Sequence, residues 1–183
     1  MSLRFIAFFS VLSLATKVSA RDIVVKNAIE FKAAVSAAAS GDVVLVESGT
    51  YSDVKIKFAR GGTEVRPLFV KAKVPGEVIL NGTSECEFNF PHIVVDGLLF
   101  YKGTINLGEG EDNSVVKFSS HHGTLKNTAI VDYNPGEFKT AYYWVFFSGS
   151  NNTVDHCYFK GKNNMHPLIG NAIDNSRYNA VKF

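Results

Sequence analysis

The chain has 183 residues, 46% of them hydrophobic and 20% charged, and a formal net charge of +2. That is the length and the globular composition of a single domain. Cys86 and Cys157 are its only cysteines, which is too few for a disulfide framework.

The chain opens on a secretory pattern. Arg4 supplies a positive start, Phe5 to Ala15 an apolar run, and Val18-Ser19-Ala20 small residues at the cleavage positions. Residues 1–20 are therefore predicted to be a signal peptide and 21–183 a single secreted or periplasmic domain. The apolar run is well short of the ~20 residues that span a bilayer, and no later segment is long enough, so no membrane association is expected after cleavage. Losing Arg4 and Lys17 leaves 17 basic and 17 acidic residues. A neutral mature chain makes no global electrostatic case for nucleic acid.

Asp22 to Lys26 is a short β-branched run. Asn27 then begins a helix as its N-cap, with Glu30 placed to complete a capping box. Phe31, Ala34, Val35 and Ala38 fall on one face, and Gly41 is the expected stop. Gly41-Asp42, the apolar strand Val43 to Val46 and Gly49-Thr50-Tyr51 follow. This order suits a helix covering the open end of a β-helix, where apolar side chains and unpaired backbone groups would otherwise be exposed.

Further on, short apolar strands alternate with Gly, Asn, Ser, Asp and Pro. Pro67 to Val70 and Val78 to Leu80 are strands, with Pro75-Gly76 a turn between them. A loose repeat then sets in. An aliphatic residue is followed two positions later by a small or turn-prone one and five later by a large apolar one. Val95/Gly97/Phe100, Leu125/Asn127/Ile130 and Val154/His156/Phe159 fit, and Val181 with Phe183 begins another copy. Near-constant steps of this size mark solenoids. Ser114 to Phe118 and Tyr142 to Phe147 are further strands between copies, so each repeat is one coil of a parallel β-helix. An antiparallel sandwich also gives many short strands, but it predicts no constant step and no helix-then-Gly-Asp opening. The last residues, Asn179 to Phe183, fall mid-strand with no cap, so the reading expects a β-helix truncated at its C-terminus. Cys157 sits in an apolar strand pattern, where a buried free thiol is expected; a Cys86–Cys157 bridge in an exported chain is the alternative.

Four stretches carry a family resemblance. They are Phe31-Lys32-Ala33-Ala34 with the Gly41 to Leu45 and Gly49 to Tyr51 segments; Pro67 to Ala72 with Pro75 to Val78 and Asn81 to Ser84; Ile93 to Phe100; and, most specifically, Asn152 to Asn164. Together the chain resembles polysaccharide lyase family 6, which contains alginate lyases and chondroitinase B-like enzymes. The resemblance implies an all-β, right-handed parallel β-helix with an N-terminal capping α-helix. It also implies an enzyme that cleaves an acidic, uronate-containing polysaccharide by β-elimination, with alginate favoured over chondroitin or dermatan sulfate. A Ca²⁺ ion on the uronate carboxylate would stabilise the developing charge. The family holds that ion with an asparagine and two glutamates, and Asn163 and Asn164 both align near the asparagine. The glutamates, the lysine base and the arginine are expected beyond Phe183, so no catalytic residue is assigned within the chain.

Lys160, Lys162 and Arg177 are the candidate substrate contacts, with Tyr178 beside them. His156 is expected to support a turn, His121-His122 to be a loop rather than a metal pair, and His166 to stand alone. Asp132, Tyr133 and Asp155 are expected at turns or edges. Asn81-Gly82-Thr83 and Asn151-Asn152-Thr153 match the N-glycosylation pattern. A non-catalytic carbohydrate-binding β-helix is the competing function. A pectinase-type hydrolase would need clustered aspartates, which the chain lacks.

Overall fold

The computed structural model describes residues 19–105, 113–172, 174 and 176–183. The signal peptide expected at 1–20 lies outside the described residues except for Ser19 and Ala20. Among the described residues no helix is long and apolar enough to cross a membrane.

Strand β1 (Asp22–Val25) and helix α1 (Ala28–Ala37) come first. Strands β2 (Val43–Val46), β3 (Gly49–Ser52), β4 (Lys55–Lys57), β5 (Leu68–Ala72), β6 (Val78–Asn81), β7 (Glu85–Phe88), β8 (Ile93–Asp96) and β9 (Leu98–Tyr101) follow. Then come β10 (Ser114–Phe118), β11 (Thr124–Lys126), β12 (Ala129–Val131), β13 (Tyr143–Phe147), β14 (Thr153–Asp155), β15 (Tyr158–Lys160), β16 (Ile169–Asn171) and β17 (Ala180–Lys182). They stack into three sheets: A (β1-β2-β5-β8-β11-β14-β17), B (β3-β6-β9-β12-β15) and C (β4-β7-β10-β13-β16). The ladders between coils are parallel in all three. The fold is a parallel β-solenoid, and the sandwich is excluded.

The repeat read from the sequence is the stacking register. Val44, Val70, Val95, Leu125, Val154 and Val181 align in sheet A. Tyr51, Leu80, Phe100, Ile130 and Phe159 align in sheet B. In sheet C, Phe88, Phe118 and Phe147 stack, with ring centroids 4.2 and 4.9 Å apart. Like side chains meet because consecutive coils sit one strand spacing apart, about 4.8 Å.

Three columns of left-handed residues turn the corners. Between A and B they are Gly97, Asn127 and His156; between B and C, Asp53, Gly82, Lys102, Asp132 and Gly161; between C and A, His92, His122, Asn151 and Tyr178. Their φ values run from 49° to 83°. Each corner's amide can then reach the next coil: Gly97 N donates to Lys126 O, Asn127 N to Asp155 O and His156 N to Lys182 O. His156 thus supports a turn as expected, with its Nδ1 2.8 Å from Asp155 Oδ1. Asp132 is likewise a corner residue, and His121-His122 is a loop.

Asparagines brace the turn into sheet A. Buried Asn152 accepts from Gly123 N at 2.8 Å and donates to Ser120 O at 2.9 Å. One coil later, Asn179 accepts from Asn152 N at 2.8 Å and donates to Gly149 O at 2.9 Å.

Helix α1 packs on β1, β2 and β4, and Phe31 meets Tyr51 edge-on at 5.8 Å. Two details differ from the sequence reading. Glu30 N bonds to Asn27 Oδ1 as expected, but the Glu30 carboxylate accepts from Lys26 N rather than Asn27 N. The helix also ends at Ala37, before Gly41. The reason is Asp42, fully buried, whose carboxylate accepts from Ala39 N at 3.0 Å and from Arg21 N at 3.0 Å. Asp42 competes for the amide that would continue the helix. The Arg21 guanidinium, 2.5 Å away, holds the Asp42 carboxyl below its usual range.

Both cysteines are free. Cys86 is buried in the sheet C core, which pushes its thiol pKa up. Cys157 lies in the turn between β14 and β15 rather than in a strand, its thiol directed at Asp155 O, 3.4 Å away. That is the place Thr128 occupies one coil earlier, where Oγ1 donates to Lys126 O at 2.9 Å.

Candidate functional site

The candidate residues gather around sheet C. In register, Lys57, Glu87, Lys117, Phe146 and Gly170 form one column across it. The adjoining column, Ile56, Cys86, Val116, Val145 and Ile169, packs in or against the core. Alternation along a strand therefore turns the first column outward. Its early part is charged: Lys57 pairs with Glu87 at 2.9 Å, Lys55 with Glu85 at 2.9 Å, and Ser119 Oγ donates to Glu87 at 2.9 Å. Its later part is aromatic and then glycine.

A local irregularity sits at that transition. Trp144 N and Val145 N both donate to Leu168 O, at 3.0 and 3.1 Å. Two residues thus face one, as in a β-bulge, which re-aims side chains. Trp144 is fully buried, with Nε1 donating to Tyr133 O at 2.7 Å. Tyr143 instead lies against outward Phe146, ring centroids 4.9 Å apart, and against His166 at 5.0 Å.

The connections from B to C form one wall of this face. Tyr133 is buried and reaches two coils back, its hydroxyl donating to Ser84 O at 2.7 Å, with burial raising its pKa. Tyr142 donates to Asn134 Oδ1 at 2.5 Å and Tyr133 O at 3.1 Å, and burial pushes its phenol up to about 12. Lys162 folds onto this layer. Its Nζ lies 4.5 Å from the Tyr142 ring centroid and donates to His166 O at 2.8 Å. Burial lowers its pKa to about 8. The ammonium is engaged within the wall rather than extended from it.

Asn163 and Asn164 differ sharply. Asn163 is exposed, and its backbone N donates to Asn134 Oδ1 at 3.2 Å. Asn164 Nδ2 donates to Thr140 O at 2.6 Å, which fixes the amide and leaves Oδ1 buried without a hydrogen-bond partner. A fixed, unsatisfied amide oxygen is a suitable Ca²⁺ ligand. Of the two asparagines, only Asn164 has its amide oxygen so placed, and it would supply one ligand at most. Among the described residues no group of three or more His, Cys, Asp or Glu could hold a metal. Arg177 is exposed on the other side of β16, in the turn toward β17, where its carbonyl accepts from Asn151 N at 2.9 Å. Lys160 is exposed at the end of β15 on sheet B, and its carbonyl accepts from Asp132 N at 2.9 Å. Lys162, Asn164 and Arg177 thus flank β16 from its two ends, while Lys160 lies outside that face.

A family model described as Chondroitinase B matches residues 25–181. The chain belongs to the chondroitinase B family. Among solved structures, this chondroitinase B family chain resembles the PL6 family polysaccharide lyase Pedsa3628 from Pseudopedobacter saltans, with a TM-score of 0.79 and 45% identity. The match covers 87% of this chain and 36% of that one. The PL6 family alginate lyase AlyGC matches with a TM-score of 0.74 and 26% identity, over 84% of this chain and 21% of that one. A PL6 alginate lyase in complex with a trisaccharide shares the fold, with a TM-score of 0.67 and 22% identity over 83% of this chain and 32% of that one. The chain spans about a third or less of the length of these structures. No curated protein matches it.

The sequence reading missed Tyr143, Phe146 and Gly170 and left His166 alone. The aromatic run Tyr142 to Phe147 was visible, but strict alternation puts Trp144 and Phe146 on one face, and only the bulge separates them.

Proposed function

We propose that the chain forms the N-terminal, substrate-binding coils of a polysaccharide lyase acting on alginate by Ca²⁺-assisted β-elimination. The observation that supports this most is the 45% identity to a PL6 polysaccharide lyase over 87% of the chain. Alginate is favoured over chondroitin or dermatan sulfate because relatives of the same fold are described as alginate lyases.

In such a reaction a base removes the proton from the carbon beside the uronate carboxylate. Its electron pair becomes the new C=C bond, and the neighbouring glycosidic C–O bond breaks, the leaving oxygen taking up a proton. Bound Ca²⁺ would lower the cost of charge on the carboxylate. Asn164 Oδ1 is the chain's proposed contribution to that ion. Arg177 on the far side of β16 is proposed to meet the polymer's carboxylates, and Lys160 is a peripheral contact at most. Lys162 braces the wall through Tyr142 and His166. The base and its partner arginine are proposed to lie outside these coils, so the chain by itself binds without turnover.

The test is binding of the whole chain to alginate, dermatan sulfate and chondroitin sulfate by calorimetry, with ultraviolet absorbance followed for unsaturated uronate. Alginate binding that exceeds both sulfated polymers, without absorbance growth, is expected. Failure to bind any uronate polymer would overturn the reading. Preference for dermatan sulfate would move the substrate to the sulfated class.

A further inference from the structure

We propose that the Tyr143 ring, seated over Gly170 and supported by the buried Phe146 on the outer face of sheet C and edged by His166, is a platform on which one pyranose ring of an acidic polysaccharide stacks. The inference rests on the lyase reading for the acidic polymer, but the platform's geometry stands separately.

Phe146 turns outward from β13 and is the one buried residue of that strand outside the contiguous core. Tyr143 is only half-buried and is brought beside it because the bulge at Trp144–Val145 breaks the alternation. The third feature is the glycine. A Cβ at Gly170 would lie 2.5 Å from Tyr143 Cδ1 and Cε1 and 2.8 Å from Phe146 Cδ2. Only a bare backbone at this register lets both rings close over β16. His166 bounds the cluster, its ring 5.0 Å from Tyr143 and its Nδ1 buried without a hydrogen-bond partner.

A ring face carries partial negative charge, which complements the weakly positive C–H groups on one face of a pyranose. Aromatic surface with a few polar groups at its margin is the usual lining of a small-ligand site. Position favours an anionic sugar. Lys117 is the register neighbour of Phe146 on one side, and the exposed Arg177 follows β16 on the other.

The test compares the full chain with Tyr143→Ala, Tyr143→Phe and Gly170→Ala. Alginate and neutral glucan oligosaccharides are titrated by calorimetry, and circular dichroism checks folding. Tyr143→Ala and Gly170→Ala should weaken alginate-oligomer binding by about tenfold, and Tyr143→Phe, which keeps the ring, should retain it. If the chain binds alginate and folded Tyr143→Ala binds equally well, the platform is refuted while the lyase reading stands. If only the neutral oligomers bind, and Tyr143→Ala abolishes that, the platform stands and the acidic substrate falls. If no oligosaccharide binds, both fall. Should Tyr143→Ala not fold, Gly170→Ala against Tyr143→Phe decides the same question.

Discussion

Replacing Asn152 tests whether the solenoid is held by side-chain braces as well as by its ladders. The Asn152 side chain is fully buried and makes two hydrogen bonds to the preceding coil, accepting from Gly123 N and donating to Ser120 O. Asn152→Ala removes both and leaves a buried amide and a part-buried carbonyl without partners. A buried orphan costs about 1–3 kcal/mol and the part-buried carbonyl less than that ceiling, so the expected loss is about 2–5 kcal/mol. For a domain of this size that is a fall of roughly 4–20 °C in Tm, at about 2–4 °C per kcal/mol. Asn152→Asp should do no better, since a carboxylate can accept from Gly123 N but cannot donate to Ser120 O. Asn179→Ala breaks the equivalent pair one coil later, to Asn152 N and Gly149 O, at a less buried position and should cost less. Urea denaturation followed by circular dichroism measures all three. A loss under about 1 kcal/mol for Asn152→Ala, or an Asn152→Asp variant as stable as the parent, would refute the bracing argument.

Phe118→Ala empties the middle of the Phe88–Phe118–Phe147 stack and should cost about 3–5 kcal/mol in the same assay. Lys162 predicts a pH dependence. Its pKa is about 8 in the folded chain and 10.5 ordinarily, so between those values the unfolded chain holds a proton that the folded chain has released. The Lys162 contribution to stability therefore rises with pH across that window, and Lys162→Met should lack the rise in denaturation midpoints measured at its two ends. Neither thiol should react with an aromatic disulfide reagent at neutral pH until the chain is unfolded, because burial raises both pKa values. Calcium should tighten alginate-oligomer binding, with the polymer's carboxylates adding to the single protein ligand, and Asn164→Ala should lose that gain while Asn163→Ala keeps it; equal effects would discard the assignment to Asn164.

The sequence carried the fold further than it carried the site, for a physical reason. Stacked coils repeat their inward residues, so the Val95, Leu125, Val154 and Val181 column was readable as a period. Corners were readable where the residue itself favours the left-handed region, as Gly97 and Asn127 do, or where the repeat placed them, as at His156. Lys102 and Tyr178 adopt the same conformation without that preference, held by neighbouring coils. The aromatic face was harder still. It depends on one bulge, and a bulge has no composition of its own. Lys162 misled because a lysine beside glycine and asparagine suggests solvent, whereas its stem and ammonium are absorbed by Tyr142 and His166. The split between Asn163 and Asn164 comes from hydrogen bonds to residues over twenty positions away.

The corner columns carry a consequence for how this surface can diverge. Between sheets A and B the chain spends only residues 97, 127–128 and 156–157 in the later coils. Between B and C it spends 53–54 and 82–84 early, then 102–113, 132–142 and 161–168. The B-to-C connections start from left-handed residues at positions 53, 82, 102, 132 and 161, after which their lengths differ. The prism is a rack with fixed rungs and one exchangeable margin. Sequence drift or deliberate grafting along that margin can reshape what lies beside sheet C, provided that the anchors Tyr133 and Tyr142 are kept.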